Sequence, residues 1–180
     1  MKPANEARPC RGNASQELYM AAIPTKDGDF VAGYSSKGLC RLDFPGAGAS
    51  GSDVEDLPPE IRSWHELTSA ALQRALDGKP AGKVPPLDLS AGTGFQQAVW
   101  RALCTIARGA TWSYGRVASA IDRPKALRAV GSACGRNPIP VFVPCHRVLA
   151  AHDKLGGFSA GLDWKLKLLG LEGSWPRPQL

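Results

Sequence analysis

The 180-residue sequence predicts a mixed α/β (α+β) fold, in which a small N-terminal domain of strands and one helix precedes a mainly helical C-terminal domain. Before residue 45, short runs of β-branched and aromatic residues alternate with turn residues, which is the pattern of strands. After residue 58, apolar residues recur at three- and four-residue spacing, which is the pattern of helices. Residues 79–86 hold three prolines and one glycine and are therefore typical of a linker between the two parts.

Three strands are predicted in the N-terminal part, at residues 18–23, 30–34 and 39–44. The turn residues between them favour an antiparallel meander. Residues 45–59 then collect glycine, serine, proline and acidic residues, so they are expected to form a surface loop.

Two longer helices follow the meander. The first is predicted to begin at Pro58-Pro59-Glu60 and to end at Gly78, and His65, beside its apolar side, is expected at the surface or the edge of the core. The second runs from a Thr93 N-cap to Gly109. The apolar side of the first helix is formed by Ile61, Trp64, Leu67, Ala71, Leu72 and Ala75.

A pair of short helices comes next. Residues 110–113 are expected to be extended, and Ser113 can cap a helix that continues to Ile121. Asp122-Arg123-Pro124 interrupts that helix, and Pro124 suits the first turn of a new one. Two short helices joined by a tight turn predict a helix-turn-helix. The second of them is expected to bury Leu127, Val130 and Cys134.

The rest of the second short helix offers small residues flanked by basic ones. Such a face allows a nucleic-acid groove to approach closely, and it equally allows close packing against another helix. The small residues are Ala126, Ala129, Gly131 and Ser132, and the basic ones are Lys125, Arg128 and Arg136. A final helix is predicted at residues 162–172 with Leu162, Leu166 and Leu169 inward, and with Lys165 and Lys167 available to solvent or to a site.

We expect the following division of the chain. The N-terminus is polar and lacks an apolar stretch, so it is expected to be a loose tail rather than a secretory signal. No run of about 18 apolar residues is present, so we expect no membrane association and a cytoplasmic protein. The predicted segments are a tail at 1–16, a domain at 17–79, a linker at 80–91, a domain at 92–173 and a tail at 174–180.

Charge is distributed unevenly along the sequence. Residues 1–87 hold ten Lys and Arg against eleven Asp and Glu, whereas residues 88–172 hold eleven against five. A basic C-terminal half favours a polyanionic partner, because neutralising phosphates releases counterions. A solvated basic face explains the same numbers, so charge alone leaves both interpretations open.

The cysteines indicate neither a disulfide framework nor a metal site. There are five, and no Cys-x-x-Cys pair occurs, which suits a reducing compartment. None of the three histidines has a zinc-finger spacing to a cysteine, so we expect no metal and no cofactor.

One stretch carries the chemistry: Asn137-Pro138-Ile139-Pro140-Val141-Phe142-Val143-Pro144-Cys145-His146-Arg147-Val148. A thiol reacts as its thiolate, and His146 as a base or Arg147 as a cation could promote ionisation of Cys145. Neighbours on a strand point to opposite faces, however, and a free cysteine is often a small buried apolar residue. Adjacency of cysteine and histidine alone does not decide between these interpretations.

The whole string closely resembles the active-site signature of the O6-alkylguanine-DNA alkyltransferases, which repair alkylated guanine by a single self-inactivating transfer. The resemblance extends from about Phe95 to Glu172. Its elements are Phe95-Gln96-x-x-Val99-Trp100, Ser113-Tyr114, Arg128-Ala129-Val130-Gly131, Asn137-Pro138, Pro144-Cys145-His146-Arg147-Val148, Gly156-Gly157-Phe158-Ser159 and Glu172.

The resemblance implies a catalytic group. Cys145 would accept the alkyl group, His146 would take its proton through a water, and Glu172 would orient His146. Asn137 would brace the turn before a cysteine-bearing strand. Tyr114 would push on the phosphate and donate a proton to the guanine.

The resemblance also implies the contacts with DNA. Arg128 would fill the gap left by a flipped base, and the helix face with Lys125, Ala126, Ala129 and Gly131 would meet the groove. The substrate pocket would be formed by Pro140, the Val148 backbone, Gly156, Gly157, Phe158 and Ser159, with Lys165 polarising the site.

The implied partner is double-stranded DNA containing O6-alkylguanine, with O4-alkylthymine as a second substrate. The expected protein is a monomer that associates with the nucleoid when bound to DNA. The N-terminal domain would be ribonuclease-H-like. Two departures stand out: Phe158 occupies a position where the family often has tyrosine, and the N-terminal zinc ligands of some relatives are missing.

Three other functions compete with this one. A non-catalytic relative that binds alkylated guanine would have its cysteine replaced, whereas Cys145 is present. A helix-turn-helix transcription factor would need groove-reading side chains such as Gln or Asn, whereas this helix offers Ala, Gly and Ser. A Cys-His hydrolase would turn over an ester or amide, whereas an alkyl acceptor stops after one event.

Overall fold

The computed structural model describes residues 17–49 and 51–175. The predicted tail at 1–16, with Cys10, lies outside the described residues, as do the last five residues of the predicted C-terminal tail. No helix in the described part of the chain is long and apolar enough to cross a membrane.

The N-terminal part contains the predicted antiparallel meander. Strands β1 (Tyr19–Ile23), β2 (Phe30–Ser35) and β3 (Gly38–Asp43) pair in the order β1-β2-β3, and Tyr19 lies opposite Tyr34. Every residue of β2 is buried, so both faces of the central strand are covered. The predicted surface loop after β3 includes one short 3₁₀ turn, Val54–Asp56.

Helix α1 (Pro59–Leu76) packs against all three strands. It begins at Pro59, where a missing N–H costs nothing because the first helical amides have no partner. His65 is buried rather than at the surface or core edge, with 5% of its surface exposed, and its Nδ1 lies 3.2 Å from the Tyr34 hydroxyl. It is therefore a hydrogen-bonded core residue.

Helix α2 (Gly94–Cys104) begins as predicted and ends early. The Thr93 hydroxyl accepts from the Gln96 amide and the Gln96 side chain accepts from the Thr93 amide, which is a capping box. The predicted end at Gly109 is wrong, because Thr105 turns its hydroxyl back to the Ala102 carbonyl at 2.8 Å. A threonine hydroxyl that binds a nearby backbone carbonyl competes with the backbone hydrogen bonds of the helix.

The helix-turn-helix is confirmed, with two corrections. It comprises α3 (Tyr114–Ala120), capped by Ser113, and α4 (Leu127–Gly135). Pro124 does not open α4, since the residues before Leu127 form a turn in which the Ala126 amide donates to the Arg123 carbonyl at 2.9 Å. Val130 and Cys134 are buried as predicted, whereas Leu127 is 48% exposed.

The described C-terminal part also contains a pair of short strands and a last helix. The strands β4 (Trp112–Ser113) and β5 (Val148–Leu149) form a short parallel pair. Helix α5 (Leu162–Leu171) follows and buries Lys165, Leu168 and Leu169. The prediction that Leu162 points inward is wrong: it is 46% exposed. Leu162 lies three residues before Lys165, so helical spacing places it on the buried side, but it is the first residue of the helix and has no preceding helical turn beside it.

Candidate active site

Cys145 does not lie on a strand, contrary to the sequence prediction. It begins a 3₁₀ turn, Cys145–Arg147, and the strand β5 starts only at Val148. Pro144 has no amide hydrogen for a ladder, and its carbonyl accepts from the Arg147 amide at 3.0 Å, which closes the turn. Cys145 and His146 are therefore not on opposite faces of a strand, and both are buried, at 5% and 1% exposure.

Asn137 holds the segment that leads to this turn. Its Nδ2 donates to the Val143 carbonyl at 2.7 Å and to the Cys145 sulfur at 3.0 Å, while its Oδ1 accepts from the Ile139 amide at 3.0 Å. Val141 lies between these contacts with φ at 74°, a region that β-branched residues rarely adopt. One side chain thus fixes a strained loop and contacts the thiol.

The N-terminal sheet supports the same loop. The Leu42 amide of β3 donates to the Pro138 carbonyl at 2.9 Å, one residue after Asn137. The sheet therefore helps position the segment that carries the cysteine.

The ionisation of Cys145 is opposed by its surroundings. Burial raises the pKa of the Cys145 thiol, while the hydrogen bond from Asn137 and the charge of Lys165 act in the opposite direction without cancelling it. The thiol is thus protonated at neutral pH, and a base must take its proton for it to react.

Lys165 lies inside the protein rather than in solvent. It is fully buried, and its Nζ donates to the Val148 carbonyl at 2.6 Å and to the Leu155 carbonyl. Burial lowers the pKa of the ammonium, and the nearby Cys145 and Cys134 partly offset that effect. It is the cation that lowers the Cys145 pKa. The same site leaves Cys134 a weak acid, because burial and Cys145 raise its pKa to about 12.

Buried His146 and partly buried Glu172 form a pair. Nε2 of His146 lies 3.1 Å from Oε1 of Glu172. Burial raises the pKa of the Glu172 carboxyl, but the hydrogen bonds from His146 and Arg147 outweigh it and bring the pKa to about 2. Burial lowers the pKa of His146, so its ring is neutral at neutral pH. Its Nδ1 is buried without a hydrogen-bond partner in residues 17–49 and 51–175, and can therefore accept a proton.

Arg147 is bound to Glu172 rather than acting on the thiol. Its Nε and Nη2 donate to the two carboxylate oxygens at 2.9 and 2.8 Å, and its Nη1 donates to the Ile106 carbonyl at 2.5 Å. The alternative that Arg147 promotes ionisation of Cys145 is therefore not supported. Lys165 is the cation whose charge favours the Cys145 thiolate.

An open cleft of about 1920 Å³ reaches Cys145. It exceeds the ~300–1,000 Å³ usual for small-molecule pockets, so it suits part of a macromolecule. Residues 41–47, which are the end of β3 and the segment that follows it, line the cleft. Of the predicted site residues, those that line the cleft are Tyr114, Arg128, Gly131, Asn137, Pro140, Cys145, Gly157, Phe158 and Ser159.

The other predicted site residues take different places. Lys125 and Ala129 are exposed and Ala126 is half-buried, around the start of α4. Val148 is buried and holds Lys165 through its carbonyl. Gly156 has φ at 67°, and a Cβ there would lie 3.2 Å from the Tyr114 hydroxyl, so the close approach of Tyr114 requires glycine. Burial raises the pKa of Tyr114, whose phenol is therefore protonated.

Sequence reasoning missed the aromatic support of the loop that carries Phe158. The Phe44 ring contacts Phe158 edge-on at 5.9 Å and Trp164 at 4.8 Å between centroids, and Phe30 packs against both Phe44 and Trp164. No sequence motif marks Phe44, which lies more than 110 residues before Phe158 and Trp164 in the sequence. In the described part of the chain, no three His, Cys, Asp or Glu side chains are grouped to hold a metal ion.

The fold and site together define a helix-turn-helix protein with a buried cysteine at the end of an open cleft. The family profile "6-O-methylguanine DNA methyltransferase, DNA binding domain" matches residues 94–174. A methylated-DNA–protein-cysteine methyltransferase of Methanosarcina barkeri is 39% identical over 159 residues, which cover 86% of this chain and 97% of that protein. The inducible enzyme of the same name from Bacillus subtilis is 35% identical and is covered to 90%.

Solved structures agree. The Mycobacterium tuberculosis OGT in complex with DNA has a TM-score of 0.71 at 36% identity, covering 87% of this chain and 93% of that one. The O6-methylguanine-DNA methyltransferase of Pyrococcus kodakaraensis has a TM-score of 0.56 at 26% identity, covering 87% and 99%. The chain belongs to the methylated-DNA–protein-cysteine methyltransferase family.

Proposed function

We propose that this protein repairs DNA by transferring the alkyl group of O6-alkylguanine, and also of O4-alkylthymine, to Cys145. The observation that carries the proposal is the Cys145 thiol at the cleft, in contact with Asn137 and followed directly by a neutral His146 paired to Glu172. The family membership adds that relatives are named for methyl transfer from methylated DNA to a protein cysteine.

The transfer is a displacement at carbon. His146 Nδ1 takes the Cys145 proton, directly or through a water, and Glu172 stabilises the imidazolium that forms. Sulfur attacks the alkyl carbon, and the carbon–oxygen bond breaks with its electron pair going to the guanine. The Tyr114 hydroxyl protonates the departing base and later regains a proton from His146. The products are a thioether and guanine, and the thioether has no route back to the thiol.

The target base must leave the helix before this chemistry. An alkyl group within a stacked duplex cannot meet a buried thiol, so the nucleotide is extruded into the cleft at a cost of a few kcal/mol, less for a damaged pair. The small residues of α4 allow the groove to approach, and Arg128 fills the space that the nucleotide leaves. The protein acts as a monomer, since one chain supplies every one of these groups.

We also propose the domain division expected from the sequence, with residues 17–79 and 92–173 as the two units joined by 80–91. The short parallel pair of β4 and β5 and the four helices α2 to α5 belong to the second unit.

The direct test is a transfer assay. Duplex oligonucleotides with a radiolabelled methyl on O6-guanine or O4-thymine are incubated with the protein, and label on protein is counted after the DNA is digested. We expect label from both, faster from guanine, and none with Cys145→Ala. The matched control Cys104→Ala, which removes an exposed thiol outside the cleft, should label fully. Label on Cys145→Ala protein would refute the assignment, and label from guanine alone would remove thymine as a substrate.

A further inference from the structure

Leu127 exposes an apolar side chain where burial was predicted. It is the first residue of α4 and is 48% exposed. In the described part of the chain, the other large apolar residues with comparable exposure are Leu18 and Leu162, at 40% and 46%. Of these three leucines, Leu127 lines the cleft that reaches Cys145.

The position of Leu127 places it beside Arg128 and Tyr114. Gly131 lies four residues after Leu127 and three after Arg128, so both side chains neighbour Gly131 on the helix surface. A Cβ at Gly131 would lie 3.8 Å from the Tyr114 ring, and all four residues line the cleft. Leu127 and Arg128 are the first two residues of α4, and side chains on a helix tilt toward its N-terminus, so both are directed toward that end of the helix.

The surroundings of Leu127 favour DNA as the contact of this leucine. Arg123, Lys125 and Arg128 are exposed around it, against one acidic neighbour, Asp122. The small residues Ala126 and Ala129 leave Leu127 as the largest apolar group at this end of α4. Proteins that unstack DNA insert apolar side chains such as leucine between base steps, next to basic groups that hold the phosphates.

We propose that Leu127 is a wedge that enters the base stack beside the extruded nucleotide. In this division, Arg128 occupies the gap in the helix and Leu127 unstacks the neighbouring base step, so the two side chains together favour the extruded state. Leu127 is a positioning residue that acts before alkyl transfer. The inference rests on the proposed function, because it assumes that a nucleotide is extruded toward Cys145.

Single-turnover kinetics on two substrates test the wedge. Leu127→Ala should slow transfer from duplex O6-methylguanine by about tenfold or more, because the unstacking contribution is lost. Its reaction with free O6-benzylguanine, which needs no unstacking, should lose much less. Leu127→Met, which keeps an apolar wedge of similar length, should stay near the wild-type duplex rate, and Leu127→Gln, which keeps the length without the apolar end, should resemble Leu127→Ala.

A second measurement reports unstacking itself. In a Cys145→Ser background, which stops transfer, a 2-aminopurine base beside the lesion should brighten on binding, and Leu127→Ala should abolish that increase. The matched control is Leu162→Ala, the first residue of α5 and equally exposed, which should match the wild type in both measurements.

The outcomes separate the wedge from the proposed function. If the wild type transfers from duplex DNA and Leu127→Ala does so equally fast, the wedge is refuted and the proposed function stands. Equal losses on duplex and free base, or an unchanged 2-aminopurine signal, would also refute it, since Leu127 would then act on the cleft and not on the stack. If the wild type fails to transfer from duplex DNA, the proposed function itself falls.

Discussion

The Cys145 thiol is buried, and burial alone would hold its proton in place at neutral pH. Asn137 and Lys165 favour the thiolate, while Arg147 is held by Glu172. Activation by general attraction from Arg147 is therefore a poor explanation. We propose instead that His146, paired with Glu172 and with its Nδ1 without a partner among the described residues, removes the proton.

A relay of this kind should show non-additive losses. Glu172→Gln and His146→Ala should each reduce the single-turnover transfer rate at neutral pH by at least about tenfold, because both interrupt the same proton transfer. The double variant should be little slower than His146→Ala. Raising the pH should partly restore all three, since hydroxide replaces the missing base.

The outcome that contradicts the relay is a double variant whose loss equals the product of the single losses. If the rate of Glu172→Gln were unchanged, the role of Glu172 would be structural: it would hold Arg147 and the end of α5 in place. Circular dichroism and thermal unfolding of each variant show whether the fold is retained, and Lys154→Gln, an exposed charge change outside the pair, serves as the control.

The pH dependence follows from the neutral imidazole. Burial lowers the pKa of His146 below its ordinary value of about 6.5. The folded protein therefore keeps a neutral base to a lower pH than a free histidine would, and the transfer rate should fall to half its plateau value only below about pH 6.5. His146 also contributes to the free energy of unfolding. The unfolded chain protonates His146 from about pH 6.5 downward, whereas the folded chain does so only at lower pH. This contribution to stability therefore weakens as the pH falls. A transfer rate that halves near pH 6.5 or above would contradict the lowered pKa.

At the scale of elements, α4 presents to the cleft the residue we assign to filling the DNA gap. Arg128→Ala should slow transfer from duplex O6-methylguanine far more than reaction with free O6-benzylguanine, because only the duplex requires extrusion. Quenched single-turnover reactions measure the ratio of the rate on duplex DNA to the rate on the free base. Arg101→Ala, which removes an exposed arginine of α2 outside the cleft, should leave the ratio unchanged. Equal losses on both substrates in Arg128→Ala would contradict the assignment.

The elements that the sequence predicted well are those with local causes. The meander follows from turn residues between apolar runs, and α2 and α3 begin where Thr93 and Ser113 cap them. The motif also singled out Cys145 and His146, which the structure places, both buried, in one 3₁₀ turn, with Cys145 at the cleft. The chemical roles that the resemblance implies for them stay predictions.

The predictions that failed depend on tertiary structure. Cys145 was expected on a strand, but Pro144 and the contacts of Asn137 fold this segment into a 3₁₀ turn. Leu127 was expected inside because its spacing matches Val130 and Cys134, yet it is 48% exposed in the first turn of α4. Buried Lys165 donates to the carbonyls of Val148 and Leu155, which lie in other segments, so no local sequence pattern predicts its burial.

At the scale of the whole molecule, the N-terminal sheet supports the site without supplying a reacting group. β3 holds Pro138 through the Leu42 amide, and Phe44 supports Phe158 in the loop over the cleft. Further contacts join the two parts: Lys167 pairs with Asp27 at 2.5 Å, and Arg108 donates to the Gly78 carbonyl at 2.5 Å.

The contact of Phe44 with Phe158 predicts an effect on substrate binding. Phe44→Leu should raise the concentration of free O6-benzylguanine needed for half-maximal rate, because the loop with Phe158 loses its support, and should lower stability by about 1–3 kcal/mol. Phe30→Leu removes a ring that packs on Phe44 and Trp164 and should cost similar stability with a smaller effect on half-saturation. Chemical unfolding and a concentration series measure both quantities. Equal half-saturation changes in the two variants would reduce Phe44 to a general core residue.

We expect Cys145 to keep the alkyl group permanently, and intact-protein mass spectrometry detects this modification. With a tenfold excess of duplex O6-methylguanine, the whole population should gain the mass of one methyl group and no more, the repaired DNA should equal the protein in amount, and digestion should locate the methyl group on the Cys145 peptide. Repair of more DNA than protein would show that the protein turns over. A methyl group on Cys104 or Cys134 with Cys145 unmodified would show that Cys145 is not the acceptor.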